Sequence, residues 1–214
     1  MTKRASEPPP TPPVPPAQHN FEQAEDLALT AVRGQTDKQL NWLGARRQGD
    51  SWHLRVLDDE LSIDPIGGGM FTTAGDPVGA FWKVVVLHYL AVADRPPERT
   101  PTVTFASLPG GRTYAPVYAG RVIRRLCGTF GNDADALRRA GRALDGREVD
   151  AGDVGFEFAV FPHLRLRCVW YTGDEELAPS ATILLPENIE RWLCIEDIVV
   201  LSERLVSRLT GRGF

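Results

Sequence analysis

The sequence predicts an α+β fold with a mainly antiparallel sheet packed against several helices, and three observations carry that expectation. Val154 to Phe161 and Leu164 to Tyr171 alternate apolar and polar residues with a period of two, as a pair of half-buried strands does. FWKVVVLHYLAVA, residues 81–93, is apolar nearly all round, which suits a central buried helix. Strand-like and helix-like stretches also follow one another without the strict alternation that a parallel sheet requires.

Taken in order, the chain opens on a proline-rich stretch. Seven of its 17 prolines fall in PPPTPPVPP, residues 8–16. Such a run favours polyproline II and cannot build a core, so residues 1–18 are expected to be a disordered tail, with a groove on a partner protein as the alternative use. Residues 20–214 are expected to form one globular domain. Asn20 is placed as a helix cap with Gln23 in the capping-box position, and Phe21, Ala24, Leu27, Ala28 and Ala31 form its apolar stripe. Asn41 to Gly44, Trp52 to Val56 and Leu61 to Ile63 read as short strands separated by turns at Gly49-Asp50 and Asp58-Asp59. Gly67-Gly68-Gly69 is a connector, because no Lys-Ser or Lys-Thr follows to complete a phosphate loop.

Asp76-Pro77 is read as the cap and first residue of the buried helix, which runs to about Ala93. Thr102 to Phe105 forms a strand, and Leu108-Pro109-Gly110-Gly111 turns the chain. A helix is placed from Pro116, with Ala119, Val122, Ile123, Leu126, Cys127 and Phe130 on one face and Gly131 at its end. Asp133 caps the next helix, whose stripe is Leu137, Ala140 and Leu144.

The hairpin that follows has a specified register. With Phe161-Pro162-His163 as its loop, Val160 faces Leu164 and Glu157 falls opposite Arg167, a cross-strand pair worth roughly 0.2–1 kcal/mol. Ala181 to Leu185 adds a strand, Pro186 starts a short helix through Trp192, and Glu196-Asp197 open the last helix. Those two acids suit its dipole without any chemical role. Ile198, Leu201, Leu205 and Leu209 dock it on the sheet.

Composition narrows the function classes. The formal charge is −4, from 24 basic and 28 acidic residues, which argues against a general nucleic-acid binder. The longest apolar run is too short to span a bilayer, and no signal peptide precedes it, so a soluble cytoplasmic protein is expected. Three scattered cysteines, Cys127, Cys168 and Cys194, have neither disulfide-framework nor metal-ligand spacing, and no metal site or cofactor is assigned. Arg121, Arg124, Arg125, Arg138, Arg139 and Arg142 make a basic face, by default solvated and otherwise an anion site.

The compact acidic run is Gly173-Asp174-Glu175-Glu176, just past a strand end where loops commonly carry function. The expected function is an accessory module that binds a small molecule or a protein and has no catalysis of its own. Trp170 and Phe105 would give an apolar wall, Asp174 or Glu175 would orient the ligand, and His88 is a further candidate. The alternatives are an enzyme or divalent-metal site built on Asp174, Glu175 and Glu176, and a purely structural turn.

Leu87-His88-Tyr89-Leu90, Phe105 with Leu108 to Gly111, Phe130-Gly131, Phe161-Pro162, Trp170-x-x-Gly173-Asp174-Glu175-Glu176, Ile183 to Leu185 and Glu196-Asp197 occur in that order. Together they resemble a bacterial and archaeal domain of unknown function, number 3786, over about Leu40 to Leu209. The resemblance implies a globular module with no established activity. Some relatives carry iron–sulfur segments or accompany corrinoid one-carbon metabolism, but this chain lacks the clustered cysteines such a centre needs. Leu185-Pro186 stands where the family usually has Phe-Asp, so a site using that aspartate would be impaired here.

Overall fold

The computed structural model describes residues 19–211, with side chains from Glu22 onward. The expectations for the proline-rich tail and for the Phe21 side chain lie outside the described residues. Helices α1 (His19–Arg33) and α2 (Asp37–Trp42) lead into strands β1 (Arg46–Gln48), β2 (Ser51–Val56), β3 (Asp59–Ile63) and β4 (Met70–Phe71), followed by α3 (Ala80–Leu90). Next come β5 (Thr102–Thr104), α4 (Gly111–Tyr118), α5 (Arg124–Phe130) and α6 (Ala134–Ala143). Strands β6 (Arg147–Glu148), β7 (Val154–Phe161), β8 (Leu164–Tyr171) and β9 (Ser180–Pro186) precede the last helix, α7 (Ile195–Leu209). The fold is α+β, and its antiparallel strands divide into two sheets, ordered β1-β2-β3-β4 and β5-β9-β8-β7-β6.

The β7–β8 register places Glu157 opposite Arg167, Phe158 opposite Leu166 and Phe156 opposite Cys168, as the alternation predicts. The turn departs from expectation. A bulge after Ala159 makes Phe161, not Val160, the partner of Leu164, and only Pro162 and His163 remain in the turn. The bulge lets both Val160 and Phe161 point inward, and Phe161 stacks on Tyr89 with ring centroids 4.2 Å apart. The hairpin tip is itself a packing element. His163 stacks on Trp42 at 4.4 Å, and Trp192 lies 5.9 Å from both Trp42 and Tyr89. Gly44, at φ +90°, lies so close to the Pro162 ring that a Cβ there would collide with it.

Several other boundaries differ from the sequence reading, each for a local reason. Asn41 to Gly44 is the end of α2 and its exit turn, not a strand. Thr36 caps that helix by accepting the Gln39 N–H at 3.2 Å, and four residues are too few for periodicity to outweigh a cap. Asn20 lies inside α1 instead of preceding it. The buried face of α1 is Ala28, Leu29 and Val32, while Leu27 is exposed, because α1 packs on α3 with Glu25 turned toward Lys83 to form an ion pair. Helix α3 starts at Ala80 and stops at Leu90. Asp76-Pro77 is held in the preceding turn, where the Thr72 N–H donates to the Asp76 carbonyl and Pro77 bridges to Phe71.

Helix α4 begins at Gly111, after Gly110 at φ +74°, and Pro116 lies within it. Proline has no N–H to continue the ladder, and the chain passes through a π turn at Ala119–Ile123 before α5. Val122, Leu126 and Phe130 still reach the core along the expected face. Asp133 caps α6 through the Ala136 N–H at 2.8 Å, as its position predicts. The segment after Pro186 forms only a single 3-10 turn, Ile189–Arg191. The short edge strand β6 was not expected, since two residues carry no period.

The core lies between the second sheet and the helices. Phe156, Phe158, Leu166, Trp170 and Ile183 meet residues such as Ile198, Leu201 and Leu205 of α7. Helix α3, with seven buried residues, packs on both α1 and α7. Among the described residues no helix is long and apolar enough to cross a membrane.

Candidate functional site

The α3–α7 contact brings together three chemically active side chains. His88 lies on the rim of the mostly buried α3, with 36% of its side chain exposed. Cys194 is the N-cap of α7, and Asp197 occupies the third helical position. They form a capping box in which the Cys194 side chain takes the place usually held by Ser or Thr. The Asp197 carboxylate accepts the Cys194 N–H at 3.3 Å. Its Oδ2 lies 2.7 Å from His88 Nδ1, although the two residues stand 109 apart in sequence. A carboxylate can only accept, so Nδ1 carries the proton of this bond, and Nε2 has a lone pair in the neutral imidazole.

One donor atom from each of His88, Cys194 and Asp197 lies within 4.8 Å of the others. The hydrogen bond that His88 donates to Asp197 raises the His88 pKa, outweighing the opposite effect of burial. Cys194 is exposed as a residue, but desolvation of its sulfur first, then the Asp197 charge, push the thiol up to about 12. Without a cation the sulfur is therefore protonated at neutral pH and a poor nucleophile. The cluster opens into a cleft of about 360 Å³ whose walls include Ala91, Val92, Trp192 and Leu193. Asp197 also borders a second cleft, of about 250 Å³, lined by Phe81, Val85, Tyr114, Val199 and Val200. The half-exposed rings of Phe81 and Tyr114 make that second space mainly apolar.

The residues singled out in the sequence are dispersed. His88 belongs to this cluster. Trp170 is fully buried, and Phe105 is buried in a stack with Tyr118 at 4.1 Å. Asp174 and Glu175 are exposed. Asp174 Oδ1 accepts the Glu176 and Leu177 N–H groups, each at 2.8 Å, and those bonds lower its pKa. The Asp174 N–H in turn donates to the Leu177 carbonyl. The acidic turn is thus closed on its own backbone.

The basic face is partly neutralised. Arg121 makes two 2.6 Å bonds to Glu203, Arg138 pairs with Asp135, and Arg142 pairs with Glu148. Among the described residues Arg124, Arg125 and Arg139 form no ion pair, and Arg139 is exposed.

Sequence reasoning missed Cys194 and Asp197 as partners of His88. The capping pattern marks both as helix-start residues, but nothing local points from either one to α3. The fold and this cluster define an α+β protein with mixed nitrogen, sulfur and oxygen donors at a helix start. The family described as Domain of unknown function (DUF3786) matches residues 38–208, most of the chain, and the protein belongs to that family. No curated protein and no solved structure matches it.

Proposed function

We propose that the protein is a binding module whose site is the α3–α7 cleft, and that His88, Cys194 and Asp197 together bind a divalent transition metal ion. The observation that carries this reading is the convergence of the three donors within 4.8 Å at the mouth of a cleft. Imidazole, thiolate and carboxylate are the ligand types that zinc takes, and three protein ligands leave a fourth position open for a ligand from solution. A bound cation reverses the local electrostatics, because it removes the thiol proton that burial and Asp197 otherwise retain. An ion taken by His88 Nδ1 would replace the proton shared with Asp197, so binding there competes with an existing contact. The neighbouring cleft at Phe81 and Tyr114 would receive the apolar part of a metal-bound ligand. The raised thiol pKa disfavours the rival reading, a cysteine nucleophile activated by His88.

The test is a zinc titration of chelator-treated full-length protein by isothermal calorimetry in buffers of different ionisation enthalpy. One site per chain with proton release is expected, and it should be lost in Cys194→Ala and in His88→Ala. A titration that shows no saturable zinc site, or one that both variants retain, contradicts the reading.

A further inference from the structure

The solvent face of the second sheet holds a groove of about 610 Å³ that shares no lining residue with either α3–α7 cleft. Strand register builds it. Arg147, Glu157 and Arg167 stand side by side across β6, β7 and β8, and Arg165 lies two residues from Arg167 on the same face. Arg99, Thr100 and Thr102 close the other side.

Four arginines thus face two glutamates, and one of these, Glu157, is already held by two of the arginines. Glu157 accepts from Arg147 at 2.7 Å and from Arg167 at 3.3 Å, with only 16% of its own side chain exposed. Burial raises its pKa, but the two guanidinium groups more than offset this, and the net shift is downward. Glu98 is more than half exposed and lies 2.9 Å from His163 Nδ1, an ion pair only when that imidazole is protonated. Among the described residues Arg99 and Arg165 have no acidic partner, and Arg165 is exposed.

Glu157 therefore does two things. It fixes the orientation of the Arg147 and Arg167 forks, and it neutralises about one charge of that pair. The remaining positive charge lines one concave wall, and the Thr102 hydroxyl stands beside it as a further donor. Pre-oriented guanidinium groups match phosphate oxygens two at a time, a geometry that a solvated lysine patch lacks. We propose that this groove binds a small phosphorylated anion carrying two phosphoryl groups, which Arg99 and Arg165 clasp while Arg147 and Arg167 hold the flank.

The experiment is a calorimetric titration of full-length, chelator-treated protein with inorganic pyrophosphate at low and moderate salt. Removing metal first keeps the α3–α7 cluster out of the measurement. One saturable site that weakens with salt is expected, with affinity falling about tenfold in Arg165→Ala and in Arg99→Ala and lost in the double variant. Arg47→Ala, on the exposed strand β1, removes the same charge outside the groove and should leave binding unchanged. Arg165→Gln checks the same site should the alanine variant fold poorly. Absence of a saturable site, or equal weakening by Arg47→Ala and Arg165→Ala, overturns the proposal.

Discussion

Asp174 follows the end of β8 and Asp197 lies in the first turn of α7, and each stands next to another acid in the sequence. Asp174 is exposed, and its carboxylate is satisfied by two N–H groups within three residues of it. Asp197 is 5% exposed, and its carboxylate ties the start of α7 to His88 of α3. The first acid closes a local turn, with its hydrogen bonds to Glu176 and Leu177 confined to that turn. The second joins two helices of the core, and its partners, His88 and Cys194, are the other donors of the proposed cation site. A dense acidic run is thus a weaker pointer to a site than one buried acid whose bonds cross the fold.

The largest expected effect calibrates the comparison. Trp170→Ala, next to the acidic turn in sequence but wholly in the core, should cost about 3–5 kcal/mol in denaturant unfolding. A cost under about 1 kcal/mol would show that β8 does not organise the core as described. Next, Asp197→Ala removes a helix cap and a buried bond to an ionisable partner, and should cost about 2–4 kcal/mol. Asp174→Ala should lose less than half as much, and Asp174→Asn, which keeps the Oδ1 acceptor, should stay close to wild type. Equal losses from Asp174→Ala and Asp197→Ala would erase the distinction between the two acids.

The smallest effect is a pH dependence in the hairpin. Glu157 has a folded-state pKa below its usual value of 4.5, so its contribution to stability is present above the unfolded pKa. It is lost as pH falls through the lower, folded value. Glu157→Gln should flatten the stability profile of the wild type on the acid side of 4.5 and leave neutral pH little changed beyond the lost ion pairs. An unchanged acid profile in that variant would show that Arg147 and Arg167 do not hold the carboxylate.

What could be read from the sequence follows the range of the interactions. Glu157 opposite Arg167 was legible because a strand period is written in neighbouring residues, and one slip would put the acid among Phe156 and Cys168. The bulge that turns Phe161 inward was not, since its cause is the Tyr89 ring on another element. The rotation of α1, which buries Leu29 and exposes Leu27, likewise depends on where Lys83 sits. Asp133 as a cap was legible from one position, and so were Glu196 and Asp197 as the start of α7. That Asp197 meets His88 is a consequence of helix packing alone, and no local pattern encodes it.

Whether His88, Cys194 and Asp197 share one cation, as proposed, is read out by cobalt(II) substitution. Chelator-treated protein titrated with cobalt(II) should develop a thiolate-to-metal charge-transfer absorption that saturates at one ion per chain and disappears in Cys194→Ser. His88→Ala should weaken binding and alter the ligand-field bands. A spectrum without the thiolate transition, or one that persists in Cys194→Ser, would contradict the account.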